Sequence, residues 1–140
     1  SIRYLDEESD SISHENNFVE CLRFAFLAKK SKAAILDLTK WSEKLASISR
    51  DQQKDFLSYC SYLIREAMLI SYSSKSLGSF SSNTDFKIDK LSPFVHSSNL
   101  IEIISLIEDC HYSISRNVNS KIVFTNFAIT LTKLINKEEV

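Results

Sequence analysis

Glycine and proline each occur once in these 140 residues, and that scarcity removes whole classes of protein. A phosphate-binding loop or a dinucleotide fingerprint needs several glycines so that backbone can approach a phosphate closely, and Gly78 alone supplies neither. Sandwiches and barrels draw heavily on the same two residues for their turns, so an all-β fold is disfavoured. Cys21, Cys60 and Cys110 form no CxxC or zinc-type spacing, and an odd, widely spaced set is no disulfide framework. A reducing cytoplasm is the compartment expected. No stretch approaches the roughly 18–20 uninterrupted apolar residues of a membrane span, and the start lacks the basic segment and apolar core of an export signal. An excess of one charge is missing too, since 17 Lys and Arg face 18 Asp and Glu, giving a net charge of −1 and a pI near 6.3. An autonomous nucleic-acid binder would neutralise several phosphates with Lys and Arg, so no direct nucleic-acid contact is expected.

What is present points to helices. Hydrophobic residues make up 44% and aromatics 11% of the chain, and a chain of this length buries about 68–70% of its unfolded surface, enough for one real core. Phe18, Leu22, Ala25 and Phe26 recur at helical spacing ahead of a turn at Lys29–Lys32, whose cations suit the negative end of a helix dipole. Ala34, Leu38, Trp41, Leu45 and Ile48 form a second stripe, in which the indole N–H of Trp41 wants a partner. Ser49 with Gln52 reads as a capping box opening a long helix to about Tyr72. Its two apolar lines, Phe56–Cys60–Leu63–Ala67–Ile70 and Leu57–Ile64–Met68, predict a central helix covered on two sides.

Residues 73–83 are serine-rich and read as a loop, followed by a short helix from Asp85 to Leu91 that Pro93 stops or kinks. Asn99, with Glu102 three residues on, is a candidate cap for a helix carrying Leu100, Ile103, Ile104, Ile107, His111 and Ile114. Asn117 marks its end. Asn119 then caps a last helix through Phe124, Phe127, Ala128, Leu131, Leu134 and Ile135. The expected fold is all-α, a single compact bundle of about five long helices plus one short one. Residues 1–13, acidic and serine-rich, read as a linker exposed by truncation or a disordered start, 14–136 as the domain and 137–140 as a charged tail.

No catalytic, cofactor-binding or metal-binding set emerges. Glu108 and His111 have the spacing used in helical di-iron sites, but those need a second such pair and two further glutamates, and the chain has no second pair. Cys110 beside His111 is no nucleophile and base, because successive helix residues diverge by about 100°. A buried thiol and a partly buried histidine are the plainer readings.

Polar clusters interrupt the apolar pattern in a fixed order. They are WSEKLA from Trp41 to Ala46, RDQQKDFLSY from Arg50 to Tyr59 with Arg65 and Glu66, SPFV from Ser92 to Val95 with Asn99, and RNVNSK from Arg116 to Lys121 with Phe124. Together they resemble the C-terminal domain of bacterial DNA polymerase III delta-prime subunits in the form found in Bacteroidetes-type bacteria. The resemblance runs from about Phe18 to Leu134, and departs from it at Cys21, where a bulkier residue is expected, and at Asn126, where an acidic one is. It implies a helical collar domain of a clamp loader, following an AAA+ region, that holds the ring-shaped pentamer together while the sliding clamp is loaded. It further implies a non-catalytic domain whose partners are gamma/tau-like and delta-like subunits. Arg65, Glu66, Arg116, Asn117 and Asn119 are the candidate interface residues, because Arg and Asn make directional bonds that set register. A second reading of each stays open: Arg65 and Glu66 pairing within the bundle, Asn117 and Asn119 ending and capping helices. A free-standing helical interaction module unrelated to replication is the alternative for the whole chain, and a helical metal enzyme a third.

Overall fold

The computed structural model describes residues 2–28, 30–72 and 91–138, and the side chains of all of these except 2–9 and 11. The chain forms helices α1 (Ile2–Ala28), α2 (Ala33–Ala46) and α3 (Arg50–Tyr72), a 3₁₀ turn (Ser92–Phe94), and helices α4 (Leu100–Ser115) and α5 (Ser120–Ile135). There is no strand among the described residues. Going round the bundle, α1 packs on α3, α3 on α4, α4 on α5, α5 on α2 and α2 on α1, while α1 also meets α5 across the middle.

The centre is aromatic. Trp41 of α2 lies 5.9 Å from Phe56 of α3, and 6.1 and 5.9 Å from Phe124 and Phe127 of α5, measured between ring centroids. All four rings are buried. The indole N–H finds the partner it needs by donating to the Asn17 carbonyl of α1 at 2.9 Å, so one residue joins three helices by packing and a fourth by a directional bond.

Four expectations need correction. Residues 2–13 do not leave the domain as a linker but carry α1 on toward its start. Nothing among them breaks a helix, since they hold no glycine or proline, and Gln52 Nε2 donates to Asp10 Oδ2 at 3.2 Å to hold this stretch against α3. The long helix α3 is covered on two sides, by α1 and α4, yet it is a member of the ring and not its axis, with Ser58, Tyr62, Arg65, Leu69 and Tyr72 exposed along its outer face. At the first turn the helix stops at Ala28, so Lys30 and Lys32 follow it and are exposed in the connection to α2.

Asn99 is the fourth. It makes no cap bond to α4; its side chain is buried and turned back, donating from Nδ2 to the Phe94 and Leu134 carbonyls at 2.9 Å each and accepting from His96 N–H at 3.0 Å. Three enclosed bonds outweigh one cap bond. Together with Lys137 Nζ to Glu102 Oε1 at 2.7 Å, they tie the Ser92–Asn99 segment and α4 to the end of α5. The loop expected at 73–83 and all but Leu91 of the short helix expected at 85–91 lie outside the described residues. Leu91 itself is helical and buried, and Pro93 sits in the 3₁₀ turn, which brings Phe94 within 4.6 Å of the Phe26 ring on α1.

Candidate subunit interface

The two polar clusters that flank α3 and α5 in sequence meet in space. Arg50, at the start of α3, donates from its guanidinium to the Ile114 carbonyl at 3.1 Å and the Val118 carbonyl at 3.0 Å. A cation there adds donors to the carbonyls where α4 ends, and complements that end of the helix dipole. Gln53 is buried and spans two turns: its amide donates to the Leu45 and Ile48 carbonyls at 3.0 Å each, and its Oε1 accepts from the Ser120 hydroxyl at 3.0 Å. Arg50, Gln53 and Ser120 thus bracket the α2–α3 turn to the α4–α5 turn. Their polarity, legible in sequence as a cluster, serves the inside of the domain.

The asparagines belong to that bracket. Asn117 has φ of +63°, the left-handed region that asparagine tolerates better than most residues. Val118 N–H bonds the Ser113 carbonyl at 3.0 Å and Asn117 N–H the Ile114 carbonyl at 3.2 Å, the paired pattern that closes a helix with a left-handed residue. Asn119 Oδ1 accepts from Ile122 N–H at 3.2 Å and so caps α5. At the start of α3, Ser49 Oγ accepts from Gln52 N–H at 3.2 Å, but the Gln52 side chain reaches to Asp10 instead of completing the box.

Arg65 and Glu66 do not pair with each other, because neighbouring helix residues point about 100° apart. Arg65 faces α4, 3.9 Å from Glu108, with both side chains more than half exposed. A pair so exposed and so long contributes little to stability, about 0–1 kcal/mol. Glu66 lies on the α1 side, where burial and then the charge of Glu66 raise the Tyr62 phenol above its usual value. Arg116, exposed near the end of α4, stands 5.7 Å from the centre of the Tyr112 ring. Between α3 and α4 runs a groove of about 410 Å³ that includes Ser58, Arg65, Glu108, His111 and Tyr112. The Arg116–Tyr112 pair extends the polar and aromatic surface at its α4 side. Sequence reasoning missed Tyr112, His111 and Glu108 as partners of this surface. The signal was present as an i, i+4 pairing of Tyr112 with Arg116, which places both on one helix face.

The chemistry-bearing side chains elsewhere are quiet. Burial pushes the Cys110 thiol up to about 12 and the Cys21 and Cys60 thiols well above the ordinary range, so all three stay protonated near neutral pH. No group of three His, Cys, Asp or Glu among the described residues is arranged to hold a metal. No helix among the described residues is long and apolar enough to cross a membrane.

His14 is buried between α1 and α3, with the Phe56 and Tyr59 rings 6.1 and 6.4 Å away, and neither ring nitrogen has a hydrogen-bond partner among the described residues. Burial holds its pKa below 6.5, against the smaller opposing pull of Asp10 and Asp55. Because the folded chain disfavours the charged ring, the unfolded chain binds the extra proton first as the pH falls, and stability is lost below about pH 6.5 as it drops toward the folded pKa. Urea titrations between pH 7.5 and about 5 should show that slope reduced in His14→Phe; an unchanged slope would assign it to other groups.

Compared with protein-family models, curated proteins and solved structures, the chain matches none of them.

Proposed function

We propose that this chain is a non-catalytic helical assembly domain, of the collar type that joins the subunits of a clamp loader for sliding-clamp loading in DNA replication. The observation that carries the assembly reading is the α3–α4 face. It places Arg65, Glu108, Tyr112 and Arg116 at the surface, in a mixture of arginine and tyrosine that suits protein contacts. The collar assignment adds the resemblance of the Trp41–Ala46, Arg50–Tyr59, Ser92–Val95 and Arg116–Lys121 clusters to delta-prime subunits. Its partners would be gamma/tau-like and delta-like subunits through their own C-terminal domains, in the cytoplasm, with no direct contact to nucleic acid and no membrane. Of the five residues first considered, Arg65 and Arg116 are kept as interface residues. Asn117 and Asn119 support the turn that presents Arg116, and Glu66 lies on another face.

Mixing the chain with the collar domains of gamma/tau and delta from the same organism, followed by light scattering on a sizing column, should give a defined complex. Arg65→Ala with Arg116→Ala should weaken it by about tenfold or more, with a thermal midpoint within about 2 °C of the parent because both side chains are exposed. Separate monomers at concentrations of tens of micromolar, roughly where a −8 kcal/mol association would be visible, would overturn the collar assignment. A complex with partners unrelated to replication, sensitive to the same two substitutions, would favour a free-standing interaction module.

A further inference from the structure

A second groove, of about 500 Å³, runs between α2 and α5, the seam of the ring that shares no helix with α3 and α4. Small side chains, among them Ser42, Thr125 and Ala128, form its floor, and Ile35 and Ile129 form its walls. Both isoleucines are about half exposed, at 54% and 49%. A floor of small residues between two apolar ridges lets another helix lay a ridge of larger side chains close to both backbones.

Charge distinguishes the two ends. At one end the groove reaches Ala28, Lys133 and Asn136, beside the α1–α2 connection that carries Lys30 and Lys32. These three lysines are exposed and have no ion pair among the described residues. Asp37, the nearest acid along α2, is about 200° round the helix from Ile35 and so faces away from the groove. At the far end Lys121 is already matched by Glu43 at 3.3 Å. The groove is thus apolar along its length, neutral at one end and positive at the other.

We infer that the α2–α5 groove is a docking site for an amphipathic helix of another protein, one with a leucine- or isoleucine-rich face and carboxylates at the end that meets Lys30, Lys32 and Lys133. The apolar face supplies affinity, and the lysines select for acidic partners and fix which way the helix lies. This surface is separate from the α3–α4 face and does not rest on the clamp-loader reading. The domain then carries two docking faces on non-adjacent seams.

The test uses two fluorescent peptides about as long as α2, with leucine and isoleucine along one helical face and either glutamate or lysine at the end of it. The glutamate peptide should bind the chain saturably by fluorescence anisotropy and shift the methyl resonances of Ile35, Ala128 and Ile129. The lysine peptide should bind at least about tenfold more weakly. Ile129→Glu should weaken the glutamate peptide by about tenfold or more, and its exposed position leaves the core intact, as circular dichroism would verify. Reversing Lys32 and Lys133 to glutamate should invert the preference between the peptides. Equal binding of both peptides, no binding of either up to about 1 mM, or indifference to Ile129→Glu would overturn the inference. Self-association of the chain that Ile129→Glu disperses would overturn it in favour of a second copy as the occupant.

Discussion

Trp41→Ala is expected to cost about 4 kcal/mol of stability, the largest loss available from a single substitution in the helical core. The indole is 1% exposed and touches Phe56, Phe124 and Phe127, the last in a stacked arrangement at an interplanar angle of 21°. Alanine removes the contacts to all three rings and leaves a cavity where α2, α3 and α5 converge, and a cavity that the rigid surroundings only partly close adds to the transfer cost. It also removes the donor to the Asn17 carbonyl. Domains of this size hold about 5–15 kcal/mol in all, so the thermal midpoint should fall by about 10 °C or more. Trp41→Phe should lose clearly less, since most of the ring packing survives. A loss below about 1 kcal/mol for the alanine variant in urea titration would show that the aromatic group is not the centre of the core.

Asn99→Ala should follow, at about 3 kcal/mol, because it strands the Phe94 carbonyl and the His96 amide and takes the buried side-chain donor from the Leu134 carbonyl, which keeps only backbone donors. Asn119→Ala, which removes one exposed cap bond, should cost only about 1 kcal/mol. The ordering is the informative result. If Asn99 and Asn119 were both simple helix caps, the two losses would be equal; a threefold difference is expected because Asn99 holds the 3₁₀ segment against the end of α5 while Asn119 acts within its own helix. Equal losses would mean that the Phe94 carbonyl and the His96 amide find other partners when Asn99 is gone.

Some of this was legible in the chain. Periodicity found the apolar stripes of α2, α3, α4 and α5, because a buried helix face repeats every three to four residues whatever it packs against. The Asn119 cap and the end at Asn117 were legible for the same reason, being local: each is decided within three or four residues. Asn99 sat at the start of α4 like a cap and was misread, since its competing partners are 5 residues back and 35 residues on. Arg50 and Gln53 were visible as polar residues in an odd place, but their acceptors lie up to 68 and 8 residues away, and no short pattern shows that. Arg65 was open to pairing within the bundle, and the carboxylate it approaches, Glu108, lies on another helix, which no local pattern shows.

The sequence by itself determined that this is an all-helical domain with an apolar core, because scarce glycine and proline, together with apolar spacing of three and four, favour helices as the way to bury that much surface. It also determined where α4 ends and where α5 begins, through Asn117 and Asn119. Only the tertiary structure decided which polar residues face inward. Whether Arg50, Gln53 and Asn99 bond neighbouring helices or stay free for a partner depends on which carbonyls the fold brings beside them, and that follows from how the helices of the described residues pack in three dimensions.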